Sequence, residues 1–202
     1  MTRHKPRGRG RSRRQGEARA NRFRIIGGRW RGRRLAFPDG QDLRPTGDRV
    51  RETLFNWLAP LIEGARCLDL YAGSGALGLE ALSRGAASCT FVDTDSRACA
   101  AIAEHLALLD ATGGEVVRAD ALQILRRAPE RPFDLVLLDP PFAADHLSEL
   151  CTLLESHDWL VGGARVYLEC PAAAGEPALP DNWSISRSGR AGNVGFFLCI
   201  RD

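Results

Sequence analysis

Short apolar runs alternate with longer amphipathic stretches through most of the chain. The apolar runs predict strands near Arg66–Leu70, Thr90–Asp93, Val116–Arg118, Phe133–Leu138 and Arg165–Glu169. The amphipathic stretches predict helices near Leu77–Ser83, Ser96–Leu109, Ala121–Arg127 and Asp145–Leu154. Alternation of this kind with short connections indicates a mostly parallel sheet covered by helices on both faces.

The two ends of the chain depart from this alternation. Trp183–Arg187 and Val194–Ile200 are too close in sequence for an intervening helix, so they predict an antiparallel C-terminal hairpin. Arg22–Ile26 and Arg34–Phe37 flank a glycine-rich turn and predict a small N-terminal hairpin, which a helix over Asp48–Leu58 follows. The sequence therefore predicts a seven-stranded sheet with a small N-terminal extension.

Charge is distributed unevenly along the chain. Residues 1–34 hold 14 Lys plus Arg and one acid, a net charge of +13, whereas the remainder carries −10. Residues 1–21 are rich in Arg and Gly and predict a disordered basic arm, either a solubilising tail or a salt-sensitive grip on phosphates. We divide the rest into a hairpin and helix extension over residues 22–62 and a main domain over residues 63–202.

Composition limits the location and chemistry of the protein. The chain has no apolar stretch of about twenty residues and no signal-peptide pattern, so we expect a cytoplasmic protein without a membrane partner. The six cysteines form no C-x-x-C pair and the four histidines match no ligand spacing, so we expect reduced thiols and no metal. No heptad repeat suggests a dimer, and a monomer is the default expectation.

A glycine-rich segment after the first strand of the main domain indicates a cofactor site. Gly73, Gly75 and Gly78 permit a tight turn into a helix whose first N–H groups can face a ligand. Asp93 ends the next strand, where a carboxylate can accept both ribose hydroxyls of an adenosine. Asp69 would repel a pyrophosphate but attract an ammonium group, which favours S-adenosylmethionine over NAD and predicts a Rossmann-like class I methyltransferase fold.

Five further residues are candidates for this cofactor site. Tyr71 and Ala72 lie within the turn itself. Asp120 follows the third strand and can accept from an adenine amino group or, alternatively, cap the next helix. Thr46 and Arg49 could face the pocket from the N-terminal extension, although Thr46 or Asp48 could instead only cap the helix.

Asp139, Pro140, Pro141 and Phe142 follow the apolar run Phe133–Leu138 and form the candidate catalytic motif. The two prolines restrict the backbone, so the Asp139 carboxylate and the Pro140 carbonyl form a rigid pair of acceptors. Such acceptors suit the exocyclic amino group of a nucleobase, and an aromatic ring can stack on the base. The alternative is a turn in which Asp139 caps the next helix and Phe142 packs in the core.

The N-terminal hairpin predicts a surface for RNA. It combines positive charge with an aromatic ring in Arg29, Trp30, Arg31, Arg33 and Arg34. Arginines and aromatic rings bind RNA backbone and stacked bases. The alternative is a set of solvated arginines around a packed Trp30.

Taken together, the motifs resemble the bacterial 16S rRNA (guanine-N2)-methyltransferases of the RsmD type over roughly Arg24 to Arg201. The resemblance is carried by Arg24-Ile-Ile-Gly-Gly-Arg-Trp-Arg-Gly32, Leu43-Arg-Pro-Thr-Gly-Asp-Arg-Val-Arg-Glu-Thr-Leu-Phe-Asn-Trp-Leu58, Asp69-Leu-Tyr-Ala-Gly-Ser-Gly-Ala-Leu-Gly78 and Asp139-Pro-Pro-Phe142. It implies methylation of N2 of guanine 966 of 16S rRNA, within an assembled small ribosomal subunit. The arginine-rich arm lies outside this pattern.

Other functions stay open at this point. An amino-methyltransferase acting on adenine or cytosine in DNA or another RNA would use nearly the same catalytic motif. An NAD-dependent oxidoreductase would share the glycine turn. A non-enzymatic RNA-binding assembly factor would bind RNA without methylating it, although the acids and glycines argue against it.

Overall fold

Residues 21–37, 46–142 and 146–202 are described by the computed structural model. Within these ranges the strands are β1 Asn21–Arg24, β2 Arg34–Phe37, β3 Arg66–Leu70, β4 Ser88–Asp93, β5 Gly114–Arg118, β6 Phe133–Leu138, β7 Leu160–Pro171, β8 Trp183–Ala191 and β9 Val194–Arg201. The helices are α1 Asp48–Leu58, α2 Ala76–Ser83, α3 Ser96–Leu108, α4 Ala121–Leu125 and α5 Leu147–Ser156. A short 3-10 helix, Ala172–Ala174, follows β7.

Seven strands form the main sheet in the order β5-β4-β3-β6-β7-β9-β8. Strands β5, β4, β3, β6 and β7 are parallel, while β9 is antiparallel to both β7 and β8. This confirms the predicted Rossmann-like sheet and its antiparallel C-terminal hairpin. The chain order reverses between β3 and β6, and ligands of open α/β sheets bind beyond the carboxyl ends of strands at such a switch point.

The N-terminal hairpin β1–β2 forms a separate two-stranded sheet beside α3. Its inward side chains Phe23, Leu35 and Phe37 are buried in the same apolar core as residues of α2 and α3. On the other face of the main sheet, a second core contains residues of α4, α5, β7 and β9. The hairpin therefore completes one of the two helical layers.

Several observed bounds differ from the predicted ones. Strand β7 is longer than predicted because β6 pairs with its beginning and β9 with its end. Strand β1 ends before Ile26, because the Ile26 N–H donates to the Glu80 carboxylate instead of a strand partner. Helix α4 ends at Leu125, two residues earlier than expected, and α5 extends two residues further, to Ser156.

Some predictions concern residues outside the described ranges. They include residues 1–20 of the predicted basic arm and Asp145, the predicted first residue of the helix before Leu154. Asn21, the last residue of the predicted arm, is instead the first residue of β1. In the part of the chain that is described, no helix combines the length and apolarity needed to cross a membrane.

Candidate active site at the carboxyl edge of the sheet

The glycine turn joins the end of β3 to the start of α2. Gly73 has φ 53° and Gly75 has φ 75°, a left-handed conformation that side chains with a Cβ rarely adopt. Tyr71 adopts φ 62° without being glycine and is half-buried. A non-glycine residue in this conformation is uncommon and is found preferentially at functional sites.

Asp69 lies buried beneath this turn. Its Oδ2 accepts the Gly78 N–H at 2.9 Å, so the carboxylate fixes the first turn of α2. Burial raises the pKa of Asp69 to about 7, and the nearby Asp93 adds to the increase. Gly78 itself packs against Phe91 and Cys89 of β4, where an added Cβ would lie 2.3 Å from the Phe91 ring. Asp69 therefore places a carboxyl group beneath the glycine turn, and Gly78 allows helix α2 to pack closely against strand β4.

Asp93 organises the other side of the turn. Its Oδ2 accepts the Gly73 N–H at 2.8 Å and its Oδ1 accepts the Asp95 N–H at 2.8 Å. The Ala72 N–H donates to the Val92 carbonyl at 3.0 Å, which holds the turn against the end of β4. The predicted cofactor residues of β3, β4 and the glycine turn therefore come together at one place.

Asp120 caps α4, as the alternative interpretation of this residue anticipated. Its Oδ1 accepts the Gln123 N–H at 2.9 Å. The carboxylate stands after β5, at the same carboxyl edge as Asp93 after β4. The capping bond uses only Oδ1 of the Asp120 carboxylate. The proposed contact with the adenine amino group would use the other oxygen, so the two roles are compatible.

Asp139 follows β6 at the same edge, beside the end of β3. Pro140 is buried, whereas the Phe142 side chain is 45% exposed. The residue that caps α5 is His146, not Asp139. The alternative in which Asp139 caps a helix and Phe142 packs in the core is therefore wrong.

Thr46 meets Asp139 across the site. Its Oγ1 lies 3.4 Å from Asp139 Oδ2, and the residue that caps α1 is Gly47. The capping alternative for Thr46 is therefore wrong as well. Burial raises the pKa of Asp139 to about 8, and the neighbouring carboxylates of Glu169 and Asp69 raise it further.

Glu169 and Tyr167, both on β7, are site residues that the sequence interpretation missed. Glu169 is buried, and its Oε1 accepts the Tyr167 hydroxyl at 2.7 Å. A usable signal existed, because Glu169 follows an apolar run in the same way as Asp93 and Asp139. Carboxyl ends of parallel strands meet at one edge of a sheet, so an acid there belongs with the others.

Arg49 is exposed on the first turn of α1, while its neighbour Arg51 is fully buried. Arg51 donates to the carbonyls of Thr46 and Arg24, both at 3.0 Å, and lies 3.7 Å from the Glu80 carboxylate. Glu80 also accepts the backbone N–H groups of Ile26 and Gly27 and pairs with Arg84. Arg51 therefore connects Thr46 at the active site to the N-terminal hairpin.

The predicted RNA residues lie on the hairpin turn and its second strand. Arg29, Arg31, Arg33 and Arg34 are exposed, while Trp30 is half-buried against the core with the Arg29 guanidinium 5.8 Å from its ring centre. The turn is anchored to Ser83, which accepts the Trp30 N–H and donates to the Gly27 carbonyl. Ser83 ends α2, about 12 Å along the helix from the glycine turn. The structure thus does not bring the arginine turn next to Asp139.

The charge of the site distinguishes between the two candidate cofactors. No Lys or Arg within the described ranges forms an ion pair with Asp69, Asp139 or Glu169. Unpaired buried carboxylates favour a cationic ligand and oppose a pyrophosphate. S-adenosylmethionine, with its sulfonium and ammonium groups, therefore fits these residues better than NAD. The same ranges contain no cluster of three acids, cysteines or histidines that could hold a metal ion.

Comparisons with known proteins agree with the geometry. Residues 23–200 match a family model described as Conserved hypothetical protein 95. The ribosomal RNA small subunit methyltransferase D of Escherichia coli K12 is 48% identical over 180 residues, covering 89% of this chain and 90% of that protein. Its Haemophilus influenzae counterpart is 41% identical, covering 87% and 92%. The solved structure of E. coli yhhF has a TM-score of 0.85 and 46% identity, covering 90% and 99%.

The strand order, the glycine turn and the acid-lined carboxyl edge define a methyltransferase of the Rossmann-like type. Within that class, the chain belongs to the family of ribosomal RNA small subunit methyltransferase D. The family resemblance seen in the sequence motifs is thereby confirmed.

Proposed function

We propose that this protein transfers a methyl group from S-adenosylmethionine to the exocyclic N2 of one guanine in 16S rRNA. The target is guanine 966 in the usual small-subunit numbering, and the substrate is the assembled small ribosomal subunit. The protein works as a cytoplasmic monomer without a metal. Family membership supports the rRNA substrate class, and the observation that carries the chemistry is the Asp139 carboxyl group at the carboxyl edge of the sheet, followed three residues later by the exposed Phe142 ring.

Asp139 is the residue proposed to hold the amino group. An exocyclic amine is a poor nucleophile because its lone pair is delocalised into the ring. Two acceptors, the Asp139 carboxylate and the Pro140 carbonyl, would bind its hydrogens and favour the geometry that attacks a methyl group. Alignment of two reactants can supply roughly 7–11 kcal/mol of the barrier.

Phe142 is proposed to hold the base by stacking. The target guanine has to leave its own stack, which costs a few kcal/mol. A stacking contact on an aromatic side chain returns about 1–3 kcal/mol. Pro141 is exposed between Phe142 and the buried Pro140, and its fixed φ keeps the ring at the rim of the site.

The cofactor is proposed to occupy the edge formed by β3, β4 and β5. When bound, S-adenosylmethionine supplies a methyl group activated by its positive sulfur. The glycine turn with Tyr71 and Ala72 would hold the methionine part, Asp93 the ribose and Asp120 the adenine. Thr46 and Arg49 would close the pocket from the N-terminal extension.

The arginine turn is proposed to bind RNA backbone away from the reacting base. Arg29, Arg31, Arg33 and Arg34 are exposed, and a folded rRNA segment is long enough to reach both this turn and Phe142. Contacts of this type carry no sequence information and weaken as salt increases. Choice of the target base would then depend on the carboxyl edge.

Labelled methyl transfer tests this function directly. Small subunits lacking the modification, protein-free 16S rRNA and DNA are incubated with the enzyme and labelled S-adenosylmethionine, and mass spectrometry maps the modified nucleotide. We expect N2-methylguanine at position 966 on the subunits. Incorporation into DNA alone, or methylation of adenine or cytosine, would contradict the proposal; RNA binding without any transfer would point to an assembly factor.

Substitution of Asp139 separates chemistry from cofactor binding. Asp139→Ala is expected to abolish turnover while the affinity for S-adenosylmethionine, measured by calorimetry, stays within a few fold. Asp181→Ala is the matched control, because Asp181 is exposed just before β8, at the opposite edge of the sheet. Loss of cofactor binding in Asp139→Ala would assign Asp139 to the cofactor site.

A further inference from the structure

Asp139 and Glu169 stand side by side at the carboxyl edge of two adjacent parallel strands. Leu138 of β6 pairs in register with Leu168 of β7, so the next residues on the two strands, Asp139 and Glu169, occupy equivalent positions. Equivalent side chains of neighbouring strands point to the same face, with backbones about 4.8 Å apart. The two carboxylates are therefore immediate neighbours.

Hydroxyl groups, not cations, connect these carboxylates. The Tyr167 hydroxyl donates to Glu169 at 2.7 Å, and Thr46 Oγ1 lies 3.4 Å from Asp139 Oδ2. Burial raises the pKa of Glu169, and the Tyr167 and Thr46 hydroxyls oppose that increase. A threonine hydroxyl has one hydrogen and can accept as well, so it can donate to one carboxylate while accepting from the other.

The proposed reaction produces a proton that this arrangement can receive. As N2 bonds to the methyl carbon, the electron pair of the broken bond stays on the donor sulfur, and N2 is left with two hydrogens and a positive charge. One hydrogen then leaves as a proton to the Asp139 carboxylate. Asp139 must lose that proton before the next turnover.

We infer that Glu169 is a positioning residue for Asp139, and that it receives through the Thr46 hydroxyl the proton that Asp139 takes from the methylated amino group. Asp139 gives its proton to the Thr46 oxygen while Thr46 passes its own hydrogen to Glu169. Tyr167 holds Glu169 in place for this exchange. The inference rests on the proposed function, since it assumes that Asp139 holds the amino group.

The charges around Asp139 and Glu169 favour a proton shared between these two carboxyl groups. Asp139 is close to Glu169 on β7 and to Asp69 on β3, and both raise its pKa in addition to the larger effect of burial. Burial also raises the pKa values of Glu169, of Tyr167 beside it and of Cys170 after it. Two buried carboxylates without a cation retain a proton between them more readily than isolated acids.

Glu169→Gln tests the inference without a change of shape. In the cofactor-free protein labelled with ¹³C at Asp and Glu carboxyls, NMR reports the titration midpoint of Asp139, expected near pH 8 in the native chain. Loss of the neighbouring charge should move that midpoint to lower pH. Glu176→Gln, on an exposed residue after β7, should leave it in place.

Single-turnover methylation supplies the second measurement. In the native enzyme the rate of methyl transfer should rise with pH as Asp139 ionises. Glu169→Gln should move this rise to lower pH and reduce the maximal rate at high pH about tenfold. That loss is part of the ~10²–10⁴-fold acceleration typical of acid–base assistance. Tyr167→Phe, which loosens Glu169, should shift the rise in the same direction. Thr46→Val should lower the maximal rate similarly, and Thr46→Ser should restore it because it keeps the hydroxyl.

The possible outcomes are distinct. An Asp139 midpoint and a pH–rate curve unchanged in both Glu169→Gln and Tyr167→Phe would overturn the inference, as would full activity in Thr46→Val. Failure of the proposed function would appear in the native enzyme instead, as transfer to another base or none at all. The NMR titration requires no substrate and would still report on the pair of carboxylates.

Discussion

Gly78→Ala is expected to destabilise the protein, although glycine in a helix is normally the weaker choice. Alanine in place of glycine stabilises an exposed helix by about 1 kcal/mol. Here the added Cβ would lie 2.3 Å from Cε1 of Phe91 and 2.7 Å from Sγ of Cys89. Both neighbours are fully buried in β4, at the centre of the sheet, so neither can move without disturbing the core.

The size of the effect follows from two opposing contributions. Inserting a methyl group into a packed core costs about 1–3 kcal/mol, and contacts this short place Gly78 near the upper limit. After the gain of about 1 kcal/mol from helix propensity, the net loss is about 2 kcal/mol. For a chain of this length that corresponds to a decrease in Tm of about 4–8 °C.

Calorimetry and urea unfolding measure the change, with Gly162→Ala as the control. A Cβ at Gly162 meets nothing within 4 Å, so its effect should stay within about 0.5 kcal/mol. Gly78→Ala should also weaken cofactor binding: alanine keeps the N–H that donates to Asp69, but its Cβ would push this part of α2 away from the carboxylate beneath the glycine turn. An unchanged or increased Tm in Gly78→Ala would refute the packing argument.

Three further predictions concern charge. Arg51→Met should lower the free energy of unfolding by about 3 kcal/mol in urea titrations, because it removes a buried cation that pairs with both Asp48 and the buried Glu80. Arg201 lowers the pKa of Glu155 from 4.5 to about 2, so this carboxylate stabilises the fold above pH 4.5, and the stabilisation is lost as pH falls towards 2. Glu155→Gln should remove that part of the acid sensitivity in thermal melts. Arg31→Ala should weaken RNA binding at low salt and reduce the salt dependence measured by filter binding.

Each of these predictions has a comparison that can contradict it. Arg49→Met, an exposed arginine two residues from Arg51, should leave stability nearly unchanged, and equal losses in both variants would refute the role of burial. Identical acid unfolding of Glu155→Gln and the native chain would refute the ion-pair argument. An unchanged salt dependence in Arg31→Ala would remove this residue from the RNA surface.

Much of the fold could be predicted because its elements repeat a simple pattern. Strands β3 and β6 and helix α1 have the bounds predicted from apolar periodicity, since each is bordered by polar or turn-forming residues. Asp139 could be placed at the carboxyl edge because it directly follows an apolar run. The cofactor and RNA residues named from the sequence remain predictions of role, even where their positions are now described.

What could not be predicted depends on partners far away in sequence. Thr46 and Asp139 are separated by 93 residues, and their contact requires the N-terminal segment to fold over the sheet. Arg51 lies on the first turns of an amphipathic helix, where a charged residue normally indicates a solvent-facing position. Its countercharges are Asp48, three residues earlier on the same helix, and Glu80 on α2. The local pattern contains the first pair but not the packing of α1 against Glu80 that buries Arg51.

The Glu80 carboxylate limits how far this protein can be treated as modular. It receives backbone N–H groups from Ile26 and Gly27 of the hairpin segment as well as charge from Arg51 and Arg84. Removing residues 21–62 would leave Arg84 as the remaining partner among these four. A hairpin transplanted onto another Rossmann-like enzyme would likewise need an acid at the corresponding position of the host helix. Hairpin and helix can therefore be exchanged between proteins only as a matched pair.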